Sequence, residues 1–332
     1  MNTKTSIDVN LYLTIEALED GLTASLSVNA CEYCIDGDGN WKSLATGVVT
    51  ESINTGQTLS FRGDLTPNIS NGIGTFTINK KCDLKGNCMS MLFGDNAADN
   101  YSLDYTYYTF MNLFNGCSTI KSVSADFLPA TTLSDECYYG MFEGCTSLTT
   151  APELPATTLA SNCYSRMFYN CTSLTSAPAL PATTLAGFCY QYMFYNCTSL
   201  VTAPELPATT LAIYCYDWMF YNCKSLATAP ELPAKVVEEH CYCSMFERCT
   251  SLTTAPELPA TTLASNCYSR MFMNCSNLNY IKALFTTTPS SSYTSYWVNG
   301  VAATGTFVKN KKATWNVTGV NGVPSGWTVK KE

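Results

Sequence analysis

The amino-acid sequence predicts a repeat solenoid with a β domain in front of it and a β cap behind, and three observations carry that prediction. A nine-residue frame, Cys-Tyr-x-x-Met-Phe-x-x-Cys, begins at Cys137, Cys163, Cys189, Cys215, Cys241 and Cys267, a constant spacing of 26 residues. A leucine follows each frame (Leu148, Leu174, Leu200, Leu226, Leu252, Leu278), and the first five copies continue into a Pro-x-Leu-Pro-Ala stretch such as Pro152 to Ala156. Ahead of the repeats, apolar and polar residues alternate at period two, and short strand-like runs follow the repeats. Self-similarity at such a period marks units that cannot bury an apolar face alone and do so by stacking on their neighbours.

Residues 1–64 read as a β-sandwich-like N-terminal domain. Leu11 to Ile15, Leu22 to Val28 and Thr58 to Phe61 alternate as half-buried strands do, with Gly- and Asp-rich turns between them. Inside this region lies Cys31-Glu-Tyr-Cys34-Ile-Asp36-Gly-Asp38-Gly-Asn40-Trp41. A calcium loop needs Gly at its sixth position, where Trp41 stands. A zinc site would have to recruit Cys82 and Cys88. The Asp-Gly-Asp-Gly-Asn run is better read as a hairpin turn, with glycine supplying positive φ.

Residues 65–104 form an irregular N-terminal cap, because a regular terminal repeat would expose the core and an open edge. Within it, Gly74 to Ile78 reads as a strand and Cys88 to Phe93 as a degenerate frame. The solenoid follows over residues 105–280, with a first repeat in which Leu113-Phe114-Asn-Gly-Cys117 matches Met141-Phe142-Glu-Gly-Cys145.

Each regular unit divides into three parts. Cys163, Met167, Phe168 and Cys171 stand at spacings of four, one and three, which fits a short helix burying one stripe. The Leu174 to Leu180 stretch is extended, since each proline biases its predecessor away from helix. Ala182 to Ala186 supplies threonine columns for a parallel ladder, kept short by two prolines per unit. After Leu278 the period ends. Gly305 to Lys309 and Gly326 to Lys330 then read as strands of a β cap over residues 281–332, with Trp297, Trp315 and Trp327 as its small core.

The repeat residues resemble the BspA-like leucine-rich repeats, a family abundant in gut Bacteroidetes and in the phages and mobile elements that inhabit them. The Leu, Phe-x-x-Cys and Leu-x-x-Ala-Pro-x-Leu-Pro pattern carries the resemblance over about residues 105–280. Cys145, Cys171, Cys197, Cys223, Cys249 and Cys275 match the family's cysteine ladder. This chain departs in its longer unit and in the added Cys137-type column. The resemblance implies a leucine-rich-repeat-like fold and a role in surface binding and adhesion.

Composition narrows the function. The chain has 18 cysteines. Most are locked to the period, as expected of small apolar residues in interior columns; disulfides between neighbouring repeats are the alternative. A net charge of −8 disfavours nucleic acid and anionic membranes, whose binding counterion release drives. No run is long enough for membrane insertion, and the first ten residues lack a signal peptide's apolar core. The location that the resemblance implies is extracellular, on a cell surface or on a virion, reached either by a route other than a signal peptide or by a signal that has been removed from this chain.

Enzymatic chemistry is not expected, and neither is a metal or cofactor. The one histidine, His240, stands beside Glu238 and Glu239. Cys241, Cys243 and Cys249 would complete a zinc set with it, but two of these belong to interior columns, so an exposed surface histidine is expected.

Positions that differ between repeats are those that stacking leaves to solvent or ligand. Phe188 and Tyr192 are four apart, as are Tyr214 and Trp218, and on a short helix each pair shares a face. With Tyr195 and Tyr221 in a neighbouring column they make the candidate ligand-binding residues, suited to a sugar face or a host or cell-surface protein. Plain column stacking that covers the repeat is the competing reading. A second column, Glu153, Ala179, Glu205, Glu231 and Glu257, is expected to be solvated. The function expected is a recognition or adhesion protein, one version being a phage or mobile-element appendage. The alternative is a structural spacer or self-assembling subunit.

Overall fold

A computed structural model describes residues 6–65, 72–104 and 106–332. The opening of the cap segment at Thr66 and the first solenoid residue, Tyr105, lie outside the described residues, as do the first five residues of the chain. The architecture is strand and turn with very little helix and no closed barrel.

The N-terminal region is built on β1 (Leu13–Ala17), β2 (Ala24–Leu26), β3 (Cys31–Ile35), β4 (Lys42–Leu44) and β5 (Thr58–Arg62). It continues with β6 (Phe76–Ile78), β7 (Cys82–Lys85) and the single-turn helix α1 (Ser90–Phe93). A strand from the first repeat, β8 (Ile120–Val123), completes a six-stranded sheet ordered β4-β3-β5-β1-β7-β8, while β2 and β6 pair separately. Leu13, Ile15, Leu59, Phe61 and Leu84 point inward from this sheet and are fully buried. Ser90 at the start of α1 accepts from the Leu13 amide and donates to the Phe61 carbonyl, both at 2.8 Å. The division placed at residue 64 therefore falls between strands that pair: β6 with β2, and β7 with β1. The parallel β7–β8 pairing carries this sheet into the repeats. The Asp36–Asn40 run joins antiparallel β3 and β4, with Asp36, Gly37 and Gly39 at positive φ.

The repeat frames are not helices. In the unit beginning at Cys163, alternate amides bond back three residues: Ser165 to Asn162, Met167 to Tyr164, Tyr169 to Arg166 and Cys171 to Phe168. The amides between them donate to the next repeat: Tyr164 to Cys189, Arg166 to Gln191, Phe168 to Met193 and Asn170 to Tyr195, at 2.8–3.1 Å. Every fourth residue is left-handed, with φ of 55° at Asn162, 58° at Arg166 and 61° at Asn170. The frame is thus a chain of tight turns that spends half its backbone donors within the repeat and half between repeats, so no buried amide is orphaned. The expected short helix is corrected for this reason. A helix would commit every amide to its own chain four residues back and leave nothing to join the units.

Side chains repeat what the backbone does. Every Met-Phe pair of the six frames is 0% exposed. Phe142, Phe168, Phe194, Phe220, Phe246 and Phe272 form a continuous ring stack with centroids 5.6–5.9 Å apart. Tyr138, Tyr164, Tyr190, Tyr216, Tyr242 and Tyr268 form a second. Phe76 of β6 reaches the phenylalanine stack through Phe114, and Trp297 closes both stacks at the far end. All eighteen cysteines are free and buried. Those of the ladder donate a weak S–H bond to the phenylalanine carbonyl of the preceding repeat, as Cys197 does to Phe168 at 3.1 Å. The extended segments meet only in isolated parallel bridges such as Thr184 to Thr210 and Thr202 to Thr228, as short as the prolines require.

The period also continues beyond Leu278. Tyr268, Arg270, Phe272 and Asn274 donate to Tyr293, Ser295, Trp297 and Asn299, the same offset as in the regular units. Tyr296 and Gly300 take the left-handed positions. The chain then closes with β9 (Tyr280–Ala283), β10 (Thr306–Lys309) and β11 (Thr328–Lys331), all parallel in the order β11-β10-β9.

Candidate functional site

The left-handed positions of the frames set the geometry of the variable surface. In most repeats they hold residues that tolerate positive φ, such as Asn162, Asn266, Gly140 and the serine at Ser244. In the two central repeats they hold Phe188 (φ 58°), Tyr192 (56°), Tyr214 (56°) and Trp218 (57°). A bulky side chain there costs about 1–2 kcal/mol, so these aromatics sit where local conformation disfavours them.

The structure sorts the six predicted residues into two groups. Phe188 stacks on Tyr214 at 4.8 Å, and Tyr214 stacks in turn on His240 at 4.4 Å. Separately, Tyr192 stacks on Trp218 at 6.0 Å, Tyr195 on Tyr221 at 4.5 Å, and Trp218 meets Tyr221 at 4.9 Å. Tyr169, in line with Tyr195 at 4.5 Å, extends the second group by one repeat. Among the described residues no ring contact joins the two groups, so Phe188 with Tyr192, and Tyr214 with Trp218, are not face-sharing partners. With the helix gone, the four-residue spacing places them in neighbouring columns. All six are half-buried rather than exposed, because each covers part of the next.

Cations flank the larger group. The Arg166 guanidinium lies 4.2 Å over Tyr169 and is held by a two-pronged ion pair to Glu143, at 2.9 and 2.7 Å. Arg248 approaches Tyr221 at 5.7 Å from the other side. Burial, reinforced by Tyr169 and Tyr221, pushes the Tyr195 phenol up to about 12, so the surface stays uncharged at its centre at neutral pH. A flat aromatic platform edged by guanidinium groups can receive a sugar ring on its π faces or an acidic or aromatic protein side chain.

Below this surface lies a polar cluster that the sequence reading missed. Asp217, one residue before Trp218, is 3% exposed. Its Oδ2 accepts from Gln191 Nε2 at 2.8 Å, whereas Oδ1 is buried without a hydrogen-bond partner. Burial raises its carboxyl to about 7, against the pull of Gln191 and Cys243. Burial likewise raises the Cys243 thiol to about 12, with the Asp217 charge adding to it. His240 is not the exposed histidine expected: its side chain is 24% exposed, it stacks on Tyr214, and its Nε2 lies 3.1 Å from Asn266 Nδ2. Cys241 and Cys249 stay in the interior columns. The signal for Asp217 was available: Gln191, Asp217 and Cys243 occupy one frame position in three successive repeats.

Glu153, Glu205, Glu231 and Glu257 are all exposed, and Glu257 pairs with Lys282 at 3.1 Å. Cys31 and Cys34 lie on β3 and Cys82 on β7, with β5 and β1 between them, roughly 14 Å across the sheet. They do not converge on one ion.

A family model described as the BspA type leucine rich repeat region matches this chain in 6 copies, over residues 100–227 and 189–296. No match was found among the curated proteins or among the solved structures.

Proposed function

The chain belongs to the BspA-type leucine-rich repeat family, and from that premise we propose that it is a recognition and adhesion protein whose stacked repeats form a solenoid presenting the central aromatic platform to a partner. Proteins of this family are usually surface-associated and typically non-enzymatic. No described helix is long and apolar enough to cross a membrane. The partner proposed is a host or cell-surface protein or glycan, met at the cell surface or, if the chain belongs to a phage or mobile element, from a virion.

One observation carries this reading. Four aromatics occupy left-handed positions in two adjacent repeats, two in each, where the other regular repeats use asparagine, glycine, serine, arginine, glutamate or histidine and the atypical first and last repeats hold one tyrosine apiece, Tyr108 and Tyr296. Ring stacking returns about 0.5–1.5 kcal/mol per pair, no more than the conformational cost, so folding alone gives no reason to concentrate them there. Binding does, because a preformed aromatic surface loses little entropy on contact.

The test uses substitutions that other repeats already carry at the same positions. Tyr214→Asn reproduces Asn162 and Asn266, and Trp218→Ser reproduces Ser244. Binding of the native chain to a glycan array and to intact bacterial cells is expected to disappear in the double variant while its thermal melt is retained. Undiminished binding with the melt intact removes the platform as the contact surface.

A structural role by self-assembly rests on β11, which pairs with β10 on one side only and is exposed along its whole length. That edge carries Lys330 and Lys331, residues that discourage strand addition, so it is the weaker reading. A mass that rises with concentration in light scattering would favour it.

A further inference from the structure

We propose that Asp217, His240 and Cys243 form a binding site for a single divalent transition-metal ion of the Zn²⁺ class, clipping two successive repeats together beneath the aromatic platform. This departs from the expectation of a metal-free chain, which was reached because Cys241 and Cys249 belong to interior columns and leave only Cys243 beside His240. It does not rest on the adhesion reading, since its support is the convergence of the three side chains themselves, although His240 also stacks on Tyr214 of the platform.

The geometry comes from the repeat. Asp217 and Cys243 hold the same frame position one repeat apart, and His240 stands three residues before Cys243 at the left-handed position that opens its frame, with φ of 55°. One ligand atom from each of the three lies within 4.8 Å of the other two. In a tetrahedral zinc site, bonds of about 2.0–2.3 Å set ligand atoms about 3.5 Å apart, so modest side-chain rotation closes the set. Among the described residues no other group of three His, Cys, Asp or Glu side chains converges in this way.

A second observation points to a cation. The Asp217 Oδ1 is buried and makes no hydrogen bond, and the one donor beside the carboxyl other than Gln191 is the weak thiol of Cys243. A carboxylate oxygen in that position is costly unless a positive charge meets it, and no lysine or arginine pairs with Asp217 among the described residues. Gln191 holds the other oxygen at 2.8 Å, fixing the carboxylate's orientation as an outer partner of a metal ligand does. Asn266 Nδ2 lies 3.1 Å from His240 Nε2, and with His240 Nδ1 on the ion the amide turns over so that its Oδ1 accepts from the Nε2–H. A thiolate, an imidazole and a carboxylate together select a metal of intermediate softness over Mg²⁺ or Ca²⁺. His240, partly exposed, gives the ion its way in and leaves a fourth position to water.

The test is titration of the reduced, chelator-stripped chain with Co²⁺ and then Zn²⁺. One equivalent of Co²⁺ is expected to produce a sulfur-to-cobalt charge-transfer absorption that Zn²⁺ bleaches. Cys243→Ser should abolish that absorption, and Asp217→Asn and His240→Asn should each weaken binding at least about tenfold. His240→Asn recreates the residue found at Asn162 and Asn266. Absence of a stoichiometric site, or undiminished affinity in any one of the three variants, overturns the proposal. Should a variant fail to fold, X-ray absorption of the zinc-loaded native chain decides: one sulfur neighbour supports the site, and none, or two or more, refutes it.

Discussion

Replacing Asn196 separates the turn-chain frame from a helix by the sign of a single comparison. Asn196 has φ of 59°. Its side chain donates to Asn170 at 2.8 Å and accepts from Asn222, forming an asparagine ladder across three repeats. Removing it loses two half-buried hydrogen bonds, about 1 kcal/mol each. Alanine adds the left-handed penalty of about 1–2 kcal/mol, which glycine escapes. Asn196→Ala should therefore cost about 3–4 kcal/mol and Asn196→Gly about 2 kcal/mol. In a helix the order reverses, because alanine is favoured over glycine by about 1 kcal/mol. Urea unfolding of both variants, followed by tyrosine and tryptophan fluorescence, reads the difference. An alanine variant as stable as the glycine variant, or more so, refutes the turn chain.

Two further outcomes follow from the interior. Phe194 is 0% exposed and stacked at 5.6 Å on both Phe168 and Phe220, so Phe194→Ala should cost about 3–5 kcal/mol in the same unfolding assay. A loss below about 1 kcal/mol contradicts the stack's role. Glu247 is 3% exposed with Oε2 unpartnered, and burial raises its carboxyl despite Ser244, Arg270 and Arg248. Between the unfolded and the raised folded pKa the folded chain holds more protons, so its contribution favours folding at low pH and is lost as pH rises through the folded value. Glu247→Gln should flatten that decline and melt higher at neutral pH. A melt below the native chain's at neutral pH would show the carboxylate to be stabilising.

The interior columns were legible because identity at a fixed period has one physical cause, burial against the same neighbour in the next repeat. The conformation of the frame was not. Spacings of four, one and three return side chains to one face in a helix and equally in a chain of turns with a left-handed residue every fourth position. The distinguishing signal lay in Asn162, Asn170, Asn196 and Asn222, residues that favour positive φ and disfavour helix. The N-terminal pairing escaped because β1–β7 and β2–β6 join residues fifty or more positions apart, and alternation alone carries no information on partners. The last repeat was hidden by substitution: Tyr293, Trp297 and Val298 stand where Cys, Met and Phe stood, with the spacing intact. At the site, the aromatic columns could be read from the differences between repeats. The Asp217 cluster required following one variable position from repeat to repeat, and its burial depends on neighbours that the sequence does not name.

Counting thiols tests most directly whether the period-locked residues form the interior of a stack in register. In native buffer without reductant the eighteen cysteines, all buried, should react with a thiol reagent only as slowly as the chain unfolds, and in denaturant all eighteen should react at once. Rapid reaction of the ladder cysteines in the native chain, or a count well below eighteen after denaturation, would contradict the account.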